Sequence, residues 1–398
     1  MMNWHLHLPV PVESGAGCLE RLSSHLNGAQ SALLVTGRHA MKAAGTTDRI
    51  CGILAAAGCA VRVYEGIISD PNYDQVEAVA ELARQSGAEV IIGCGGGSSL
   101  DAAKAVAVAA THAGPIMEYI VNGPRPVTDA TLPIIAITGT SGTGSHIGRV
   151  SVLSDRSRSI KRALISDYLY PSAAFCDAEV LRSMPPDVTA VTGFDAFAQA
   201  LEGYLSQADN PMGKLCAQEA LRIVHRALPE AIVNGADLDL RSQMAWGDTL
   251  AGISLATNAI ITPHSFSMVL GGRYGITHAR GIASVMPACL ENSRPNAIGK
   301  LAQVAHLLGC NEPLSEEELA DWAILAIERF IVDIGLGQGL TDYGVTEAEF
   351  PAIALETRTV FGGRVDSDPV PQDAAGLERI LRRSVERWEE LKAADGDA

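Results

Sequence analysis

Short unbroken apolar runs recur through the first part of the chain, each closed by a polar or glycine-bearing turn. Ser31–Thr36 (SALLVT), Ala60–Tyr64, Glu89–Gly93, Leu132–Thr138 and Ala174–Cys176 predict five strands. Between the second and third, Asp74 to Gly87 carries Val76, Val79, Ala80 and Leu82 at helical spacing. Strands without a polar face, alternating with helices, imply a mostly parallel sheet covered on both sides. Met1 to Val12 alternates apolar and polar residues as a further strand would.

After Met184-Pro185-Pro186 the rhythm changes. Helices are predicted over 188–206, 211–227, 239–257, 297–308, 315–334, 346–358 and 374–393, and strand-like runs almost vanish. The expected organisation is an α/β N-terminal domain, residues 1–184, followed by an all-helical C-terminal domain, residues 185–398. Lys392 to Ala398 reads as a frayed tail.

Composition narrows the function. Aromatic residues are only 5% of the chain, which suits close helix–sheet packing better than an all-β fold. With 30 basic and 46 acidic residues the formal charge is −16, a surface that repels nucleic acid and anionic lipid. No run approaches the roughly 20 apolar residues of a membrane span, and Met1–Val12 lacks the basic and long apolar segments of a signal peptide. The eight cysteines form no C-x-x-C pair and read as buried thiols of a reducing compartment. The expectation is a cytoplasmic protein without nucleic-acid or membrane partners.

Candidate chemistry begins at Ile91-Ile92-Gly93-Cys94-Gly95-Gly96-Gly97-Ser98-Ser99, where an apolar strand runs through glycines into an alanine-rich helix. Glycine lets a backbone approach phosphate closely, and the free N–H groups of a helix start face an anion. Ser98 at the sixth position departs from the Rossmann fingerprint. A second turn, Thr138-Gly139-Thr140-Ser141-Gly142-Thr143-Gly144-Ser145, follows the fourth strand and suits phosphate, ribose or amide contacts. In open α/β sheets ligands collect at such strand ends.

Gly95-Gly96-Gly97-Ser98-x-x-Asp101-x-x-Lys104 resembles the signature of the iron-containing, group III alcohol dehydrogenases. Ser69-Asp70-Pro71, Gly142-Thr143-Gly144-Ser145, Thr192-Gly193-Phe194-Asp195-Ala196-Phe197, and Leu270-Gly271-Gly272 followed by Thr277-His278 resemble further motifs of that family in the same order. The resemblance implies the dehydroquinate synthase-like fold, a dinucleotide-binding α/β domain joined to a helical metal-binding domain. A cleft between them would hold nicotinamide, metal and substrate. It also implies cofactor contacts from Asp70, Gly96, Gly97, Ser98, Asp101, Thr140, Thr143 and Lys161, and a homodimer or larger assembly.

For the metal, the resemblance points to Asp195, His264 and His278, one carboxylate and two imidazoles that leave open positions for an alcohol oxygen. Where the family usually has a histidine one turn after the aspartate, this chain has Gln199, a further candidate ligand through its amide oxygen. Met268 replaces another family histidine. Related polyol dehydrogenases and dehydroquinate synthase-like enzymes are similar in using one carboxylate and two histidines, so the expected divalent ion is zinc or iron.

After the first strand stands Arg38 where the family commonly has an acidic residue holding the adenosine 2′-hydroxyl. Arginine could pair with a 2′-phosphate, which favours NADP(H) over NAD(H). His146 stands where the family usually has an acidic residue after the serine, and His146 and Arg149 are expected to bring positive charge towards the cleft, which suits an acidic or phosphorylated aldehyde. The resulting expectation is a nicotinamide-dependent alcohol dehydrogenase or aldehyde reductase. Its rivals are a metal-independent reductase of the same fold, a dehydroquinate synthase-like lyase, and a non-catalytic nucleotide-binding or filament protein.

Overall fold

The computed structural model of the chain describes residues 4–155 and 160–396. It divides into two compact units, His7–Thr189 with Asn234–Gly252, and Met1–Leu6 with Ala190–Val233 and Ile253–Ala398. The first change of unit along the chain falls after Thr189, and the segment Asn234–Gly252 returns to the first unit.

The first unit is built on a six-stranded sheet whose five pairings are all parallel. Its strands are β1 (Val12–Ser14), β2 (Ser31–Gly37), β3 (Ala60–Ile67), β4 (Val90–Gly95), β5 (Ile134–Thr138) and β8 (Ala173–Cys176), in the order β1-β8-β5-β4-β2-β3. The interior strands β2, β4, β5 and β8 are buried along nearly their whole length, as the unbroken apolar runs require. Two cores cover the faces. One sets Leu33, Val35 and Ile91 against Val76, Val79 and Val106; the other sets Leu34, Ile92 and Ile137 against Leu19, Ile50 and Leu54. Connections leave β2 and β4 in opposite directions across the sheet, so the order reverses between those neighbours, at the crevice where open α/β sheets bind ligands.

Two strand expectations need correction. The first strand is Val12–Ser14, not Met1–Val12; residues 4–11 are irregular, and Met1–Asn3 lie outside the described residues. Alternation in that segment is too weak a signal without a partner strand, and only Val12–Ser14 pairs with β8. A hairpin of β6 (Val150–Asp155) and β7 (Ile160–Ile165) is present that the apolar-run reading passed over. β6 alternates buried and less buried residues, the period-2 signature of a half-covered strand.

The second unit is helical. The long helices Pro186–Leu205, Glu316–Asp333 and Ala374–Gly396 match the predicted stretches closely, whereas Pro211–Val233 runs on past the predicted end at 227 and Phe350–Asp366 is displaced towards the C-terminus from 346–358. Helices Thr262–Tyr274 and His278–Ser293 were not predicted as helices. Pro263 and Gly271-Gly272 read as breakers, but Pro263 falls in the first turn, where its missing N–H costs nothing. Gly275, at φ +69, closes that helix in the left-handed region. The expected frayed tail is helical through Gly396, with Lys392 donating to both oxygens of Asp342 at 2.7 Å; residues 397–398 lie outside the described residues. All eight cysteines are free thiols. Among the described residues no helix is long and apolar enough to cross a membrane.

Candidate functional site

Parallel pairing of β4 with β5 aligns Gly95 with Thr138, so the two glycine turns leave neighbouring strand ends together. Gly139 N–H donates to Gly95 C=O at 2.8 Å. The glycines are needed where the turns touch. A Cβ on Gly97 would stand 2.8 Å from Thr143 Cγ2, and one on Gly139 2.9 Å from Gly95 Cα. Gly95 itself has φ +136, a conformation that side chains resist. Helix Gly97–Ala109 starts there, with Gly96 as its extended cap residue, so its first N–H groups lie at this strand end. Thr140 faces Gly96, and Thr143 faces Gly97.

The expected cofactor residues divide by environment. Gly96, Gly97, Ser98, Thr140 and Thr143 line the paired turns and are only part-buried. Ser98 Oγ accepts from Asp70 N–H at 3.2 Å, and Lys161 donates to Asp70 at 2.7 Å, which joins three of them in one exposed chain of contacts. Asp70 sits at φ +55, a turn conformation that aspartate tolerates. Arg38 is exposed just past the end of β2. Asp101 faces inward: it accepts from Ser145 Oγ at 2.6 Å and from Val152 N–H at 2.9 Å. The fully buried Lys104 donates to Ser145 O, Ser145 Oγ and Val150 O at 2.7–2.9 Å. Asp101 and Lys104 therefore fasten the second turn to the helix of the first.

The expectation of positive charge from His146 and Arg149 is corrected. His146 is 0% exposed, with Nε2 at 3.0 Å from Thr249 Oγ1. Asp248 lies 3.7 Å from its Nδ1, beyond hydrogen-bond distance, and is engaged by Gly144 N–H. Burial, with the nearby Lys104 charge, pushes its imidazole down to about 3, so it is neutral. Arg149 is a surface residue paired with Asp167 at 2.5 Å.

In the helical unit, Asp195, His264 and His278 place one ligand atom each within 4.8 Å of one another. Asp195 projects from helix Pro186–Leu205, His264 from the first turn of Thr262–Tyr274, and His278 opens His278–Ser293. Both histidine tautomers are fixed from behind. Glu202, an acceptor only, takes the Nδ1 proton of His264 at 2.5 Å, so Nε2 is the nitrogen that faces Asp195 Oδ1, 3.5 Å away. Ser267 spends its single hydroxyl proton on His278 O at 2.7 Å, so at 2.8 Å it accepts from His278 Nδ1–H. That makes His278 Nε2 the basic nitrogen, 4.0 Å from Asp195 Oδ1.

Asp195 Oδ1 and His264 Nε2 are buried with no hydrogen-bond partner, and so is Gln199 Oε1. Buried polar atoms are rarely left so, and here a carboxylate oxygen and imidazole nitrogens converge on one point. Burial alone would push the His264 imidazole down, but Glu202 and Asp195 outweigh it and hold it up to about 9. The cluster thus demands positive charge between its carboxylates, and a divalent ion fits the donors and their spacing.

Gln199, one turn after Asp195, donates its amide N–H to Asp195 Oδ2 at 3.2 Å. Met268, one turn after His264, is half-buried. Glu202 and Ser267 were missed in the sequence. Glu202 could have been found, since Asp195, Gln199 and Glu202 at i, i+4 and i+7 share one helix face. Ser267 carries no such signal.

Residues 9–178 match the family model of iron-containing alcohol dehydrogenase, and residues 189–382 that of the C-terminal part of the Fe-containing alcohol dehydrogenase family. The chain belongs to the iron-containing alcohol dehydrogenase family. It is 35% identical over 365 residues to 1,3-propanediol dehydrogenase of Citrobacter freundii, covering 90% of this chain and 92% of the relative. It is 30% identical to the NAD-dependent methanol dehydrogenase of Bacillus methanolicus, covering 85% and 89%. A crystal structure of 1,3-propanediol oxidoreductase superposes with a TM-score of 0.91 at 30% identity, covering 96% of this chain and 100% of the other. The two-part fold is therefore the iron-type alcohol dehydrogenase fold, and the chain is an enzyme of the alcohol dehydrogenase class.

Proposed function

We propose that the chain is a nicotinamide-dependent alcohol dehydrogenase or aldehyde reductase with one divalent ion held by Asp195, His264 and His278. The observation that carries this is that the buried, unpartnered Asp195 Oδ1 and His264 Nε2 converge with a nitrogen of His278 within 4.8 Å, each histidine being held from behind through its Nδ1. When bound, the ion would act as a Lewis acid towards a carbonyl or alcohol oxygen. Glu202 holds His264 and Ser267 holds His278, each with Nε2 presented to the site. Gln199 orients Asp195 through its N–H and offers Oε1 as a further donor. Three protein ligands with an open position suit catalytic zinc as well as iron. Met268 offers no proton to transfer, so the proton of the reaction moves through water or hydroxyl groups.

The paired glycine turns, with Ser98, Thr140, Thr143, Asp70 and Lys161, bind the nicotinamide nucleotide that carries hydride. Exposed Arg38 at the ligand end of β2 favours NADP(H) over NAD(H), although one relative is named NAD-dependent. Cytoplasmic location and a homodimer or larger assembly belong to the same proposal. The test is NADH- and NADPH-dependent reduction of an aldehyde panel by the purified protein, before and after chelation. Activity lost on chelation and restored by zinc or iron supports the reading; full activity in the metal-free protein overturns it.

A further inference from the structure

Arg364 is an arginine without an anion. Helix Phe350–Asp366 breaks at Phe361 (φ −117°, ψ 22°), and the chain passes through Gly362 and Gly363 before Arg364. Its guanidinium lies over the Phe361 ring, 5.2 Å from the centroid. Among the described residues its side chain makes no hydrogen bond and has no carboxylate within ion-pair distance. The two arginines buried outright among the described residues are saturated by contrast. Arg241 donates to Gly235 O, Thr189 Oγ1 and Met184 O, and Arg387 is bidentate to Glu328 at 2.8–2.9 Å.

The segment holding Arg364 is clamped to the elements of the metal cluster. Asp368 accepts from Thr262 Oγ1 at 2.6 Å, two residues before His264. Gln207, just beyond the helix that carries Asp195 and Glu202, donates to Asp368 O at 2.6 Å and, through its backbone, to Ser367 O at 2.9 Å. Enclosure depresses the Arg364 guanidinium from its ordinary range, and the charge of Glu202 opposes that shift. Glu202 is already engaged by His264 and by Ile261 N–H. With a divalent ion present, Asp195 and Glu202 balance its two charges, Asp368 is held by Thr262 Oγ1, Ser293 Oγ and Val370 N–H, and none of the three carboxylates forms an ion pair with Arg364. Enclosing an unpaired charge is costly, and its planar fork matches a carboxylate, sulfonate or phosphate.

We infer that Arg364 receives an anionic substituent of the substrate, so that the preferred substrates are aldehydes or alcohols bearing a carboxylate, sulfonate or phosphate group. This rests on the dehydrogenase reading above and gives it a substrate class, on a residue other than Arg149 or His146. An anionic group could also come from the nucleotide phosphates, and the test separates the two sources.

Reduction of 4-oxobutanoate is compared with that of butanal in the wild type, Arg364→Gln and Arg364→Lys. Binding of propane-1-sulfonate is measured by calorimetry on the same proteins, together with their metal content. The wild type is expected to prefer 4-oxobutanoate. Arg364→Gln is expected to lower the ratio of kcat/KM for 4-oxobutanoate over butanal by about tenfold or more, mainly through KM. Arg364→Lys should restore part of that ratio, and sulfonate binding should follow the same order. Equal losses on both aldehydes with falling metal content would make Arg364 a counter-charge to Glu202 and overturn the inference. A raised KM for the nucleotide with an unchanged aldehyde ratio would assign it to the cofactor and overturn it too. If no aldehyde is reduced, the dehydrogenase reading fails by itself. Sulfonate binding, read in the wild type and in Arg364→Lys should Arg364→Gln not fold, still decides whether Arg364 takes an anion.

Discussion

The paired glycine turns and the Asp195–His264–His278 cluster handle their polar atoms in opposite ways. At the turns, Asp101, Lys104, Ser145 and Asp248 spend their hydrogen-bonding capacity on the protein itself, and two strand ends lock together through glycines. The outcome is a rigid shelf of backbone, with Ser141 Oγ as the one buried hydroxyl of the second turn left over. In the cluster the partners stand behind the histidines, and the front-facing atoms of Asp195 and His264 have none. Satisfied side chains build a shape for a ligand, whereas unsatisfied convergent ones ask for a charge.

The sharpest way to break this contrast is Asp195→Ala. Removing the central carboxylate should abolish metal retention and reduce kcat by more than the roughly 10–100-fold that an outer partner costs. Metal analysis beside steady-state kinetics checks it, and unchanged metal content would contradict it. Glu202→Gln keeps the shape but removes the charge behind His264, and should weaken metal affinity roughly 10–100-fold. Competition with a chelator reads that directly.

Gly97→Ala probes the shelf. Its Cβ would meet Thr143 Cγ2 at 2.8 Å, so about 1–3 kcal/mol of stability should be lost, with a raised KM for the nucleotide and little change in metal content. Adding Thr143→Ser, which removes that methyl, should recover part of the stability in urea unfolding.

The smallest effect concerns His146. In the folded chain it stays neutral down to about pH 3, against an ordinary value of 6.5. Between those values the unfolded chain binds the extra proton, so this contribution to stability is complete above pH 6.5 and falls away as the pH drops towards 3. Its slope is at most roughly 1.4 kcal/mol per pH unit. His146→Gln should flatten the stability profile between pH 4 and 6 by about that slope, as measured by urea unfolding.

Much of this was legible in the sequence because it is written in local patterns. The unbroken runs of β2, β4 and β5 gave the parallel sheet, and the glycines at 95–97 and 139–144 gave the turns. Asp195, His264 and His278 came through resemblance, and the fold brings them together. What escaped was what depends on three-dimensional surroundings. His146 looks like a charge until Thr249 and a buried environment enclose it. Pro263 looks like a breaker until it falls in a first turn. Ser267 acquires its role only because His278 folds back over it, and Arg364 is conspicuous only once its missing partner can be seen.

The most direct test is the metal content of the protein purified without chelators, beside that of His264→Ala. The expected result is about one zinc or iron ion per wild-type chain, and a large loss from the variant. A wild-type protein that reduces aldehydes with no bound divalent ion, and regains none on incubation with zinc or iron, would contradict the assignment of Asp195, His264 and His278.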